Sequence, residues 1–167
     1  PTIQPRATSV ASLRDDIRAV TVPGAVDGWL ALHDRFGRLG LDEVFAAAIG
    51  LAADGFAAGP QLAGSAPQME GVAHNELPRA LEVGQRVRRP GSARALRAVA
   101  VDGRAGFYGG EFGEGLLAAG PDEFVTDDLD TVQARWVDPV GIDVFGHRVW
   151  TPPPVSYTHL TLPTNGC

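Results

Sequence analysis

T-V-P-G-A-V-D-G-W-L-A-L-H-D-R-F-G, residues Thr21–Gly37, sets Val26, Trp29, Leu30 and Phe36 at helical spacing, with His33 sharing their face. A recurrence of three and four residues buries one stripe of a helix and leaves the rest in water. Pro23 and Gly24 shape the entry, and Gly37 suits the residue just past the C-terminus. Gly28 lies inside the run and costs about 1 kcal/mol relative to alanine, so close backbone packing against a neighbour is the expected compensation. Downstream, a second helix is expected over about Asp42 to Asp54. Asp42 is its expected cap, Glu43 suits the positive end, and Val44, Phe45, Ala48, Ile49 and Ala52 form the stripe before Gly55. The two helices read as a helical hairpin.

Beyond this pair the pattern is less regular. Upstream, Ser12–Arg18 is a short amphipathic helix fragment. Pro60, Pro67 and Pro78 make the stretch from Ala58 to Arg79 less regular, with room for short helices. A third helix is expected over Ser92–Val101, with Leu96 and Val99 inward and a turn at Asp102-Gly103. Glu111–Ala119 is helical with Phe112 and Leu116 inward, weakened by Gly113 and Gly115. Thr126, followed by Asp127 and Asp128, resembles a helix start capped by its hydroxyl. The period then falls to two. Ala134–Val144 reads as a strand, Phe145-Gly146-His147 as a turn and Arg148-Val149-Trp150 as the returning strand, halted by prolines. The class is α+β, mostly helical with a C-terminal β-hairpin.

Composition bounds the function. At 167 residues, 44% hydrophobic and 20% charged, the chain has apolar material for one core. Its net charge of -6 disfavours nonspecific binding of nucleic acid, which requires clustered cations. The short basic group Arg86, Arg88 and Arg89 reads as a solvated loop or helix end that needs no partner. No apolar run approaches the roughly 20 residues that span a bilayer. The chain begins at Pro1 and its only methionine is Met69, so the true start is expected to be missing and localisation is unreadable. A single cysteine, Cys167, supplies neither a disulfide framework nor a cysteine metal site.

No stand-alone catalytic constellation emerges. His33 lacks a second ligand at metal spacing and reads as a packed or hydrogen-bonded histidine; His147 reads as a turn residue. Asp127, Asp128 and Asp130 are explained by a helix start before any acid–base role. The glycines of Y-G-G-E-F-G-E-G match neither phosphate-loop spacing, and Glu111 and Glu114 would repel phosphate. Ser65 lacks a nucleophile-elbow context.

The order of segments says more. V-P-G-A-V-D-G-W-L-A-L-H-D-R-F-G-R-L, D-E-V-F-A-A-A-I-G-L-A-A-D-G-F, G-R-A-G-F-Y-G-G-E-F, D-D-L-D-T-V-Q-A-R-W-V-D-P-V and F-G-H-R-V-W-T-P-P-P, spanning Val22–Pro154, resemble the gamma-glutamyltransferase family in order and spacing. Two departures affect packing: Ser92 stands where the family usually carries an apolar residue, and Val144-Phe145 replaces its common Tyr-Arg turn. The resemblance implies a fragment of an N-terminal-nucleophile hydrolase with an αββα sandwich. Its precursor would cut itself into large and small subunits and expose a threonine. That hydroxyl would attack the gamma-glutamyl amide of glutathione or a related donor, with its own amine as base and an oxyanion hole for the intermediate. Water, an amino acid or a peptide would accept the group, without metal or organic cofactor.

The implied threonine and most glutamyl-binding residues lie in the small subunit, and the carboxylate-binding arginine lies upstream. No catalytic, substrate-binding, cofactor or metal residue therefore maps onto this chain, which corresponds to a partial large subunit over 1–154 and is expected to be inactive alone. Bacterial members are often periplasmic or secreted. A cephalosporin acylase-like member of the same superfamily and a noncatalytic scaffold fragment are the rival readings. V-S-Y-T-H-L-T-L-P-T, Val155–Thr164, lacks charge, Ala and Gly in a chain whose 14 basic residues are all arginine, the habit of a GC-rich coding sequence. It resembles a translated sequencing-library adapter, so 155–167, with His159 and Cys167, are expected to be a non-native tail. Without its flanks, the chain is expected to expose apolar faces and strand edges and to be marginal or aggregation-prone.

Overall fold

The computed structural model describes residues 17–69 and 76–153. The chain forms two compact units, 1–134 and 135–167. The proposed tail and most of Ser12–Arg18 lie outside the described residues; of the latter, Ile17 and Arg18 fall in a short 3-10 turn, Ile17–Ala19.

The first unit is built on α1 (Ala25–Phe36), α2 (Leu41–Asp54), β1 (Phe56–Ala57), α3 (Pro60–Ser65), β2 (Arg86–Val87), α4 (Pro90–Tyr108), α5 (Glu111–Ala119) and α6 (Thr126–Asp130). α4 is the central element, packing on α2, α5 and α1. Val26, Phe45, Val99, Phe107, Tyr108 and Leu129 form the main core. The expected hairpin pairing is corrected here: α1 and α2 each pack chiefly on α4, while Trp29 and Phe45 meet at 6.1 Å between ring centroids. Gly37–Gly40 joins the two helices without imposing a full side-by-side packing.

The sequence stripes are partly right. In α1, Val26 is buried and Leu30 packs on the core, but Trp29 and Phe36 are 47% and 64% exposed. In α2, Phe45 and Ala52 are buried and Ile49 packs inward, whereas Val44 and Ala48 face outward. Leu41, not Val44, completes that stripe. Asp42 does not cap: the helix opens one residue earlier, after Gly40, whose N–H donates to Glu43 Oε2 at 3.3 Å. This reach-back supplies one of the free amides of the first turn with an acceptor. A side chain at Gly28 would meet nothing within 4 Å, so its expected close packing is absent.

The third helix is longer than expected, running to Tyr108 but broken at Gly103, where φ is 56° and ψ is -128°. The expected Asp102-Gly103 turn is therefore a kink between two helical runs. Its positive φ suits glycine, which lacks the Cβ that strains other residues there. α5 matches its expected limits, with Phe112 and Leu116 inward. Gly113 makes its approach possible: a Cβ there would run into the Tyr108 carbonyl. Thr126 is the first residue of α6 and not its cap; the Val125 N–H instead donates to Asp128 Oδ2 at 2.9 Å.

A smaller core of Ala58, Ala66, Leu81 and Val87 lies beside the antiparallel pair β1–β2, whose register sets Phe56 opposite Val87. The basic cluster acquires partners. Arg86 Nη1 donates to Asp54 O at 2.7 Å and Gly55 O at 3.0 Å, and Arg88 Nε to Asp54 O at 3.2 Å. These cations occupy the carbonyl-rich end of α2, where positive charge is favoured. Arg89 pairs with Glu76 at 3.1 Å.

The second unit contains an antiparallel hairpin, β3 (Val140–Val144) and β4 (His147–Thr151). The strand begins at Val140 and not Ala134, and His147 is a strand residue opposite Val144. The turn is only Phe145-Gly146, with φ of 50° and 76°. Positive φ at both positions is the mirror-image turn that matches strand twist, although asparagine or aspartate suits its first position better than phenylalanine. One face carries cross-strand contacts among its own side chains: Trp150 lies across Gly141, Arg148 sits 4.9 Å from the Trp150 ring centroid, and Arg148 pairs with Asp143 at 2.9 Å.

Candidate functional site

A connected polar group in the first unit starts from an acidic residue in the first turn of α1. Asp27 suits the positive helix end, yet its side chain is only 1% exposed. One carboxylate oxygen, Oδ2, accepts the Gln133 N–H at 2.7 Å. The other, Oδ1, lies 3.0 Å from Arg104 Nε, close enough for an ion pair but not aligned as a hydrogen bond. Arg104 follows the Gly103 kink. Its Nη2 donates to Leu129 O and, at 2.8 Å, to Thr131 O, while its guanidinium sits 4.5 Å from the Tyr108 ring centroid. Tyr108 OH donates to Pro23 O.

Burial first, and then the Asp27 carboxylate, raise the Tyr108 pKa above its ordinary value. Both effects disfavour phenolate, leaving a neutral hydroxyl engaged as a donor. Asp27 is held by a cation and an amide. The arrangement ties chain segments together and has no free base or nucleophile.

Two adjoining hollows flank α4 and α5. One, of about 580 Å³, has Glu76, Arg89, Arg94 and Glu111 around an apolar floor that includes Phe112 and Leu116. Its charges are mutually satisfied: Arg94 grips Glu111 through two nitrogens at 2.6 to 3.1 Å, and Glu76 also accepts the Gly91 N–H at 2.6 Å. The hydrogen bond between Arg94 and Glu111 holds the acid below and the guanidinium above their ordinary pKa values. The second hollow, of about 510 Å³, is almost wholly apolar, with Trp29, Leu96, Phe107 and Phe112 in its wall. Ser92 lines both, so the departure noted in the sequence falls at their junction.

The structure does not gather the sequence candidates into one site. Of the two readings of His33, packed or hydrogen-bonded, the second holds: its Nε2 donates to Leu39 O at 2.8 Å. Ser65 Oγ donates to Gln61 O at 2.9 Å within its own turn. Asp128 caps α6, whereas the Asp127 carbonyl, rather than its carboxylate, accepts both the Thr131 N–H and hydroxyl. His147 is on β4 in the second unit. Among the described residues no three His, Cys, Asp or Glu side chains form a metal-binding group, and no helix is long and apolar enough to cross a membrane. Sequence reading missed the Asp27–Arg104–Tyr108 network. Its only local signal was an acid in the first turn of an amphipathic helix, which does not identify a partner 106 residues away in the Gln133 amide.

The sequence profile of gamma-glutamyltranspeptidase matches residues 4–163. The acylase ACY 1 proenzyme of Pseudomonas sp. (strain SE83) is 34% identical over 158 residues, covering 86% of this chain and 28% of that protein. Glutathione hydrolase 3 of Arabidopsis thaliana is 31% identical over 150 residues, covering 81% and 23% respectively. The fold is similar to that of Helicobacter pylori gamma-glutamyltranspeptidase, with a TM-score of 0.80, 22% identity and coverage of 91% of this chain and 48% of that one. The chain thus spans less than a third of the length of the curated relatives it matches. The profile match across most of its length, in an α+β fold shared with a solved member, shows that the chain belongs to the gamma-glutamyltranspeptidase family.

Proposed function

We propose that this chain is a partial large subunit, residues 1–154, of a self-processing enzyme that transfers or hydrolyses the gamma-glutamyl group of glutathione and related amides. The observation that carries the reading is the family match over residues 4–163. The nucleophile is the threonine exposed by precursor cleavage in the missing small subunit; its hydroxyl attacks the amide carbonyl and its amine accepts the proton. A gamma-glutamyl ester forms, the amine departs, and water or an amino-acid or peptide acceptor breaks the ester. This chain supplies scaffold and no reacting group. The test has two parts. The complete parent should split into two subunits and release aniline from a gamma-glutamyl anilide. The purified 167-residue chain should release none, and measurable turnover by it would overturn the assignment of an inactive fragment.

A second reading is favoured by the 34% identity to the acylase ACY 1 proenzyme. On this reading the parent removes an acyl side chain from a cephalosporin-type amide. The same processed parent offered both amides distinguishes them, because selective turnover of the cephalosporin side chain would displace the gamma-glutamyl reading.

We read 155–167 as a non-native tail. The profile match runs into this stretch, to residue 163, so the nucleotide sequence decides. Codons over Val155–Thr164 that depart from an adapter would sink the reading.

A further inference from the structure

We propose that Thr126–Gln133 is a latch that opens as a unit while the helices beneath it stay folded. The segment's hold on the rest of the unit is slight. α6 has five residues, far below the length at which a helix is stable alone. Leu129, 3% exposed, is its single buried apolar side chain, whereas Val132 is 62% exposed. Inside the segment, Thr131 and the Gln133 side chain donate to the carbonyls of Asp127, Asp128 and Thr131, bonds that can travel with it. Its polar ties to the helices converge on two residues: Arg104 takes the carbonyls of Leu129 and Thr131, and Asp27 takes the Gln133 amide.

The helices do not depend equally on the latch. Val26, Phe45, Val99, Phe107 and Tyr108 share a core to which Leu30, Ile49, Leu96, Phe112 and Leu116 also contribute. Opening withdraws Leu129 from that core and removes three backbone ties, but leaves the packing of α4 against α2 and α5. Segments with few apolar anchors and concentrated polar ties open below the global unfolding free energy.

The experiment is residue-resolved hydrogen exchange on the full 167-residue chain. In the unmodified protein, low urea should accelerate the Thr131 and Gln133 amides much less steeply than those of Ile49 and Val99, since a local opening exposes less surface. Merged urea dependences would overturn the latch. Arg104→Lys retains a cation for Asp27 but lacks the fork that reaches two carbonyls. It should speed exchange at Thr131 and Gln133 about tenfold while changing Ile49 and Val99 less than about twofold. Equal acceleration at all four amides, or none at Thr131 and Gln133, would refute it.

Discussion

The helical unit and the hairpin unit have comparable apolar vocabularies but use them differently. In the first, Val26, Val99 and Phe107 are buried by helices meeting around α4. In the second, Val140, Ile142, Val149 and Trp150 are each more than half exposed. A strand pair satisfies its shared ladder yet presents two faces, which its own side chains cover only in part. Apolar residues stabilise only where topology supplies a second surface.

The largest test of that contrast pairs one truncation from each unit. Phe107→Ala should cost about 3–5 kcal/mol, because it leaves a cavity beside Tyr108 and Phe112. Val149→Ala, at a side chain 51% exposed, should remain within about 0.5 kcal/mol. Urea unfolding followed by circular dichroism and tryptophan fluorescence measures both. A similar cost at the two sites would erase the distinction.

A smaller effect should sharpen the hairpin. Phe145→Asn places a residue suited to positive φ in the two-residue turn and should stabilise the hairpin by about 1 kcal/mol, read from cross-strand nuclear Overhauser effects against temperature. In the helical unit, Gly28→Ala should stabilise by up to about 1 kcal/mol, since the new methyl meets no neighbour and helix propensity improves. A lower melting temperature would reveal a constraint at Gly28.

The last expected effect is a pH trend confined to the helical unit. The folded-state pKa of Tyr108 is raised by burial and Asp27, so the unfolded chain loses that proton first as pH increases. Stability from the neutral phenol is therefore present below the ordinary tyrosine value, about 10, and declines above it towards the raised folded value. Tyr108→Phe should flatten the alkaline slope of urea midpoint against pH; an unchanged slope would assign it to other groups.

Much of the fold was legible because it is local. Apolar spacing identified α1, α2, α5 and the returning strand, and the break at Asp102-Gly103 was legible, though as a turn that ends the helix and not as the kink within α4. The errors arose where several residues could perform the same local task. Gly40 and Glu43 displaced Asp42 as the cap of α2, Asp128 displaced Thr126 in α6, and a two-residue turn drew His147 into β4. Alternation before Val140 did not secure a strand because a ladder requires a partner as well as a pattern. In the candidate site, His33 reads as packed or hydrogen-bonded and proves hydrogen-bonded, but the partners of Asp27 and Arg104 were not legible.

From its residue order alone, the chain declares an amphipathic helical framework, a terminal hairpin and a family signature carried by collinear segments. Only the three-dimensional arrangement assigns α4 to the centre, exposes Trp29 and Phe36, gives the arginine cluster its carbonyl partners and joins Asp27 to Arg104 and Gln133. The division follows from range: helix period and turn chemistry act over a few residues, whereas burial and buried charge pairing depend on surfaces that meet after the chain has folded.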